Sequence, residues 1–283
     1  VGMYQLGCAY LTARLCLRWL YRQLLQRLRP HLCIIVAINP AERALVEACR
    51  ELGIATAELQ HGMIGPYDLT YTTAPGIIQR TFPDYMLTFG PFWRHQMPLP
   101  VPAEKTLDVG FPFFQRILQE SPSLIRQPRV LVLSQPGSGK ALAQWAIRLA
   151  RAAPCGYRVS FRPHPVEYLD RELYKHLKEN RVEVLDSNFQ LYELLASSVI
   201  QVGVFSTALY EGLAFGLRTY VAPLPGYQYM RPLLKRGWVR LLEHESQPFD
   251  DRRPWPRCHP EELFLLQASV VHHRKGFQQS ARI

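Results

Sequence analysis

Residues 199–225, VIQVGVFSTALYEGLAFGLRTYVAPLP, read as strand, tight turn, helix and strand in immediate succession. The apolar run 199–205 fits a short buried strand, Ser206 and Thr207 supply hydroxyl caps where helical spacing begins, and Gly216 closes the helix. A second β-branched run follows at 219–222, so the unit is a βαβ crossover whose two strands lie parallel. Ligands of open parallel sheets bind beyond the carboxyl ends of the strands. Ser206, Thr207 and the first N–H groups of the helix face such a crevice, where hydroxyls, amide donors and the helix dipole suit a phosphate or sugar oxygen. Glu211 lies one turn further along. The same residues also make an ordinary helix cap with a solvated carboxylate behind it, so this stretch decides topology before it decides chemistry.

The surrounding composition is that of a soluble globular protein: 283 residues, 48% hydrophobic and 20% charged, enough for two α/β domains. Lys and Arg exceed Asp and Glu by 33 to 23, a formal charge of +10 that favours anionic partners such as nucleotide phosphates, acidic glycans or lipid headgroups. Nucleic acid is disfavoured, because the basic residues are dispersed rather than clustered with aromatics on one face. The 6 cysteines are scattered, with no CxxC pair and no His/Cys cluster of zinc spacing, so reduced thiols, a cytoplasmic location and no metal site are expected. No apolar run reaches the roughly 20 residues that span a bilayer. The sequence opens on Val1 rather than Met, which leaves open a further N-terminal portion.

Residues 8–29 place Leu, Trp and Tyr at helical spacing, with Arg14, Arg18, Arg22, Arg27 and Arg29 on or near the other face. This basic amphipathic helix either covers the first sheet or rests at an anionic membrane face. Strands are expected at 32–38 and 55–59, joined by a helix over 40–52 that Asn39 caps. The second strand runs into Gln60-His61-Gly62, which sets an imidazole at the sheet rim, able to take a proton near neutral pH. Glu58 is the nearest acid. A Gly-, Pro- and Tyr-rich loop over 66–80 and strands at 85–90 and 106–110 follow. The polar, Pro-containing stretch 119–128 reads as a break, giving domains over 1–120 and 121–283.

The second domain restarts the βα pattern at 129–133, followed by Gln135-Pro136-Gly137-Ser138-Gly139-Lys140. This resembles a phosphate-binding loop, yet Ser134 and Ala141 stand where the nucleotide-triphosphate pattern needs Gly and a magnesium-binding hydroxyl, which excludes that class of ATPase. Gly137, Ser138 and Lys140 remain candidates for looser phosphate binding. The strand over 157–161 ends in Arg162-Pro163-His164-Pro165-Val166-Glu167, where two prolines hold His164 rigidly at the sheet edge. A basic tail from 248 carries a helix expected over 260–273.

QHG at 60–62, RPHPVE at 162–167 and STALYEGLAFG at 206–216, in this order and spacing, resemble the GT-B transferases that build bacterial surface polymers. These include capsule polysaccharide glycosyltransferases, polysialyltransferases and CDP-glycerol glycerophosphotransferases. The resemblance implies two Rossmann-like domains facing across a cleft, and a nucleotide-activated sugar as co-substrate with no separate cofactor. It further implies a polysaccharide or lipid-linked glycan acceptor; the basic helix over 8–29 and the +10 charge add the expectation of a place at the inner face of the cytoplasmic membrane. The resemblance assigns the donor's diphosphate to His164, Ser206 and Thr207 and a catalytic role to His61. From the residues themselves, Arg162, Glu167 and Glu211 join the donor-binding candidates and Glu58, the nearest acid to His61, is the alternative base. The acidic pair before glycine found in polysialyltransferases is replaced here by Gln60-His61. Glycosyl transfer is the leading expectation; a nucleotide-sugar 2-epimerase and glycerophosphate transfer are the alternatives.

Overall fold

The computed structural model describes residues 3–72, 81–120, 125–167, 171–185 and 189–265. The expected loop at 66–80 and C-terminal helix at 260–273 are therefore followed only to residues 72 and 265. The chain divides into two compact α/β units, one formed by Val1–Phe111 with the segment from Glu261, the other by Pro112–Pro260.

In the first unit, α1 (Met3–Leu28), β1 (Leu32–Val36), α2 (Pro40–Glu51), β2 (Ala55–Leu59), β3 (Tyr85–Thr88), α3 (Pro91–Arg94) and β4 (Thr106–Asp108) follow one another. The four strands form an all-parallel sheet in the order β1-β2-β3-β4. Asn39 begins α2, and its backbone N–H is met by the Glu42 carboxylate at 3.1 Å. Leu25 of α1 is buried with Ala48 and Cys49 of α2, and Arg14 and Arg18 form ion pairs with Glu47 and Glu51, so one face of α1 is fastened along α2.

The second unit holds α4 (Pro112–Glu120), β5 (Arg129–Leu133), α5 (Gly139–Ala152), β6 (Arg158–Arg162), α6 (Arg171–Glu179), β7 (Val182–Val184), α7 (Leu191–Ser197), β8 (Ile200–Gly203), α8 (Thr207–Ala214), β9 (Arg218–Val221), α9 (Arg231–Lys235), β10 (Arg240–Leu241) and α10 (Gln247–Asp250). Its six-stranded sheet has the order β10-β9-β8-β5-β6-β7, parallel throughout. The chain leaves β5 toward β6 and β7, then returns to the far side of β5 to lay down β8, β9 and β10. The topological switch point therefore lies between β5 and β8, where a doubly wound sheet opens its ligand crevice. The core beneath is apolar, with Val130, Val132, Phe161, Ile200 and Val202 fully or almost fully buried along with Leu142 and Ala146 of α5.

The expected boundary near 119–128 differs from the division observed. Helix α4 belongs to the second unit, since Phe114 is buried with its ring 5.5 Å from Tyr192 and 5.8 Å from Phe215. The segment after Pro260 returns to the first unit as α11 (Pro260–Phe264). There the Trp93 indole N–H donates to the Leu263 carbonyl at 2.7 Å, and a Cβ on Gly90 would stand 2.6 Å from the Glu262 carbonyl, so only glycine admits this contact. Aromatic packing, invisible in local composition, sets the division.

Candidate functional site at the strand ends

In the second unit the chain leaves β8 at Gly203 and enters α8 through Ser206, whose extended backbone (φ −167°, ψ 146°) and side-chain oxygen cap the helix by accepting the Ala208 N–H at 3.2 Å. The first turn of α8 holds no acid, and Ser206 and Thr207 are partly exposed. Buried Gln201 fastens this helix to the sheet: its amide donates to the Leu209 carbonyl and to Thr219 Oγ1, both at 2.8 Å. A Cβ on Gly212 would overlap that amide at 2.1 Å, which explains glycine in mid-helix. The switch point itself is tied by Gln135, buried after β5, whose side-chain oxygen accepts the Phe205 N–H at 2.9 Å. On the other side, Phe205 stacks on Tyr229 at 4.8 Å, and Gly226 (φ +97°) passes so close that any Cβ would lie 2.0 Å from the Phe205 ring.

His164 follows β6, which pairs with β5 and so lies two strands from β8 in the same sheet. Its Nδ1 accepts the Val166 N–H at 3.3 Å, an arrangement that places the neutral ring's proton on Nε2 and leaves an N–H donor available. Glu167 closes the same loop: its Oε2 accepts the His164 N–H at 3.0 Å, and its own N–H donates to the His164 carbonyl at 2.8 Å. Arg162 is half-buried, its Nε without a hydrogen-bond partner among the described residues, and desolvation lowers its pKa.

Five expected site residues of the second unit, Gly137, Ser138, Lys140, Glu167 and Glu211, are placed differently from the sequence reading. The Gly137-Ser138 turn is formed, with Gly137 at φ +82°, but the Glu167 carboxylate lies against the start of α5, 2.4 Å from where a Cβ on Gly139 would stand. A phosphate there would meet a like charge, so Gly137, Ser138 and Lys140 do not make the anion site; Lys140 instead lines a surface groove with Gln144, Glu172 and His176 between α5 and α6. Glu167 organises the His164 loop. Glu211 is 6% exposed and accepts the Tyr192 hydroxyl at 3.2 Å, and burial pushes its carboxyl up to about 7.

In the first unit, Gln60 turns inward at the end of β2. Its oxygen accepts the Phe89 N–H at 2.8 Å and its amide donates to the Gly62 carbonyl at 2.7 Å, which fixes the turn and leaves His61 exposed at the rim. Glu58, expected near His61, is fully buried instead. The pleat puts Glu58 on the covered face with Thr56 and Gln60, where the Tyr71 hydroxyl donates to Oε1 at 2.6 Å and Oε2 has no side-chain partner among the described residues. Burial raises its carboxyl to about 7, with Asp68 adding to the rise while the Tyr71 bond and Arg43 oppose it. His61 and Glu58 are thus not brought together, and Glu58 is closed to an acceptor. The sequence singles out neither tyrosine partner: Tyr71 lies in the loop after β2 and Tyr192 in α7, 13 and 19 residues from their acids.

Among the described residues no group of three His, Cys, Asp or Glu side chains is placed to hold a metal ion, and no helix is long and apolar enough to cross a membrane. No protein-family model matches the chain, and no curated protein matches it by sequence. Solved structures do resemble it. The UDP-GlcNAc 2-epimerase from Neisseria meningitidis bound to UDP-GlcNAc aligns over 85% of this chain and 72% of its own, at 11% identity and a TM-score of 0.60. The UDP-GlcNAc 2-epimerase from Methanocaldococcus jannaschii in complex with UDP-GlcNAc and UDP aligns over 87% and 77%, at 12% identity and TM-score 0.54. The spinosyn rhamnosyltransferase SpnG complexed with thymidine diphosphate aligns over 87% and 68%, at 14% identity and TM-score 0.51. At such identities the likeness is one of fold: this chain has the two-unit, parallel-sheet α/β architecture of the GT-B class.

Proposed function

We propose that the chain is a glycosyltransferase of the GT-B type, moving a sugar from a nucleotide-activated donor to a polysaccharide or lipid-linked glycan acceptor of a bacterial surface polymer. The observation that carries this reading is the start of α8 at the switch point: a helix N-terminus without an acid, capped by Ser206. At the end of β6, two strands from β8 in the same sheet, His164 holds an Nε2–H ready to donate. In the reaction the acceptor oxygen bonds to the donor's anomeric carbon while the bond from that carbon to the diphosphate breaks, the electron pair leaving with the nucleoside diphosphate. The helix N–H groups, Ser206, Thr207, His164 and Arg162 stabilise that growing charge. His61 takes the acceptor's proton.

A second reading, nucleotide-sugar 2-epimerase, is favoured by two of the similar structures, both of UDP-GlcNAc 2-epimerases. It needs carboxylates free to remove and return a proton on carbon, whereas Glu58 and Glu211 are covered and bonded to tyrosines and Glu167 is engaged with His164. The products separate the readings. A panel of nucleotide sugars is first screened for thermal stabilisation, and ligands that bind are incubated in deuterated water with glycan acceptors. Glycosyl transfer releases nucleoside diphosphate, glycerophosphate transfer from CDP-glycerol releases the monophosphate, and epimerisation leaves the nucleotide sugar intact but deuterated. Deuterated epimer without nucleotide release would replace the proposal with the second reading.

A further inference from the structure

Helix α1 has two sides that the packing treats differently. One is fastened to α2 through buried Leu25 and the pairs Arg14–Glu47 and Arg18–Glu51. The remainder is open, and large apolar side chains share it with arginines and glutamines: Leu11, Leu15 and Trp19, successive at i, i+4 and i+8, are 56, 61 and 61% exposed, and Leu20, Leu24 and Leu28 on the other flank are 53, 50 and 66% exposed. Exposed apolar surface of this extent on one helix marks an interaction face. Its charge identifies the partner. No Asp or Glu occurs before Glu42, while Arg22, Arg27 and Arg29 are exposed on or just beyond the same helix, and among the described residues none of these three is in an ion pair.

We infer that the exposed side of α1 docks on an anionic lipid bilayer, with Trp19 and the leucines entering the headgroup boundary and Arg22, Arg27 and Arg29 meeting lipid phosphates. A second copy of the chain is the poorer occupant. A self-pairing surface must complement itself, and two such faces would bring arginines against arginines with no carboxylate between them. An anionic headgroup layer supplies the missing charge, with Arg22 one turn beyond Trp19 on the same flank, so that apolar side chains and basic heads meet the headgroup boundary together. The inference is independent of the chemistry proposed above, since it concerns a surface that contains none of those residues.

The test is co-sedimentation of the whole chain with vesicles of phosphatidylcholine alone and of phosphatidylcholine with phosphatidylglycerol, at low and high salt, alongside sedimentation velocity without lipid. Binding is expected only to the phosphatidylglycerol vesicles and should weaken as salt rises. Arg22→Gln with Arg27→Gln should weaken it by roughly tenfold to thirtyfold. Leu15→Gln with Trp19→Gln should abolish it without lowering the melting temperature, because both side chains are already in water. No binding at low salt, equal binding to neutral vesicles, or indifference to both variant pairs would overturn the inference. So would a dimer in the absence of lipid that Leu15→Gln with Trp19→Gln dissociates, since that assigns the face to a second copy.

Discussion

The Phe205 backbone N–H donates to the side-chain oxygen of Gln135 at 2.9 Å, a bond that spans 70 residues of sequence and joins the turns after β5 and β8. These two strands flank the switch point, so one buried amide sets the approach of the two loops between which a ligand would sit. Gln135→Ala strands the Phe205 N–H, and denaturant unfolding should register a loss of about 1–3 kcal/mol. Nucleotide affinity should fall as well, because the α8 start loses its fixed position; an unchanged affinity would separate this bond from the site.

Gly139 and Glu167 form a second such pair. An alanine Cβ at 139 would stand 2.4 Å from Glu167 Oε1 and 3.2 Å from Ser134 Oγ, so Gly139→Ala should destabilise the second unit by about 1–3 kcal/mol. If the carboxylate is what the methyl strikes, the same substitution in a Glu167→Ala background should cost less than half as much. A double-mutant cycle on melting curves reads this coupling directly, and additive costs would mean that the strain lies elsewhere.

The two buried glutamates give the protein a pH dependence of definite sign. Glu58 and Glu211 titrate near 7 in the fold against 4.5 as ordinary side chains, so the native state holds protons that the unfolded chain has already released between those values. Stability is then unpenalised below about pH 4.5 and falls as pH rises through 7, by an upper bound of about 3 kcal/mol per group. Glu58→Gln keeps an acceptor for the Tyr71 hydroxyl while removing the titration, so its stability advantage should appear near neutral pH and vanish near pH 4.5. Unfolding midpoints for wild type, Glu58→Gln and Glu211→Gln across that range test this, and parallel curves for all three would contradict it.

Much of the architecture was legible because βα repetition is a local signal. Strands β2 and β5 fall at 55–59 and 129–133 as read, and the Ser206 cap and the histidine turns stand at strand ends as the spacing implied. What the sequence hid depends on contacts distant along the chain. The switch point exists only because β8 returns to the far side of β5. Glu58 and Glu211 looked like free carboxylates because the tyrosines covering them come from other elements. Gly137-Ser138-Gly139 had the composition of a phosphate loop, but the glycine at 139 serves the approach of a carboxylate. Phe114 moved α4 across the expected boundary for the same reason.

The most direct test of the central claim is calorimetric titration of wild type, Ser206→Ala and His61→Ala with nucleoside diphosphates, paired with transfer rates at saturating donor. If the α8 start binds the diphosphate and His61 is the base, Ser206→Ala should weaken binding by roughly tenfold to a hundredfold. His61→Ala should bind as wild type does while its transfer rate falls by about 10²–10⁴, with loss of the rising limb of the pH profile. Wild-type affinity in Ser206→Ala, or lost nucleotide binding with a normal rate in His61→Ala, would contradict the account.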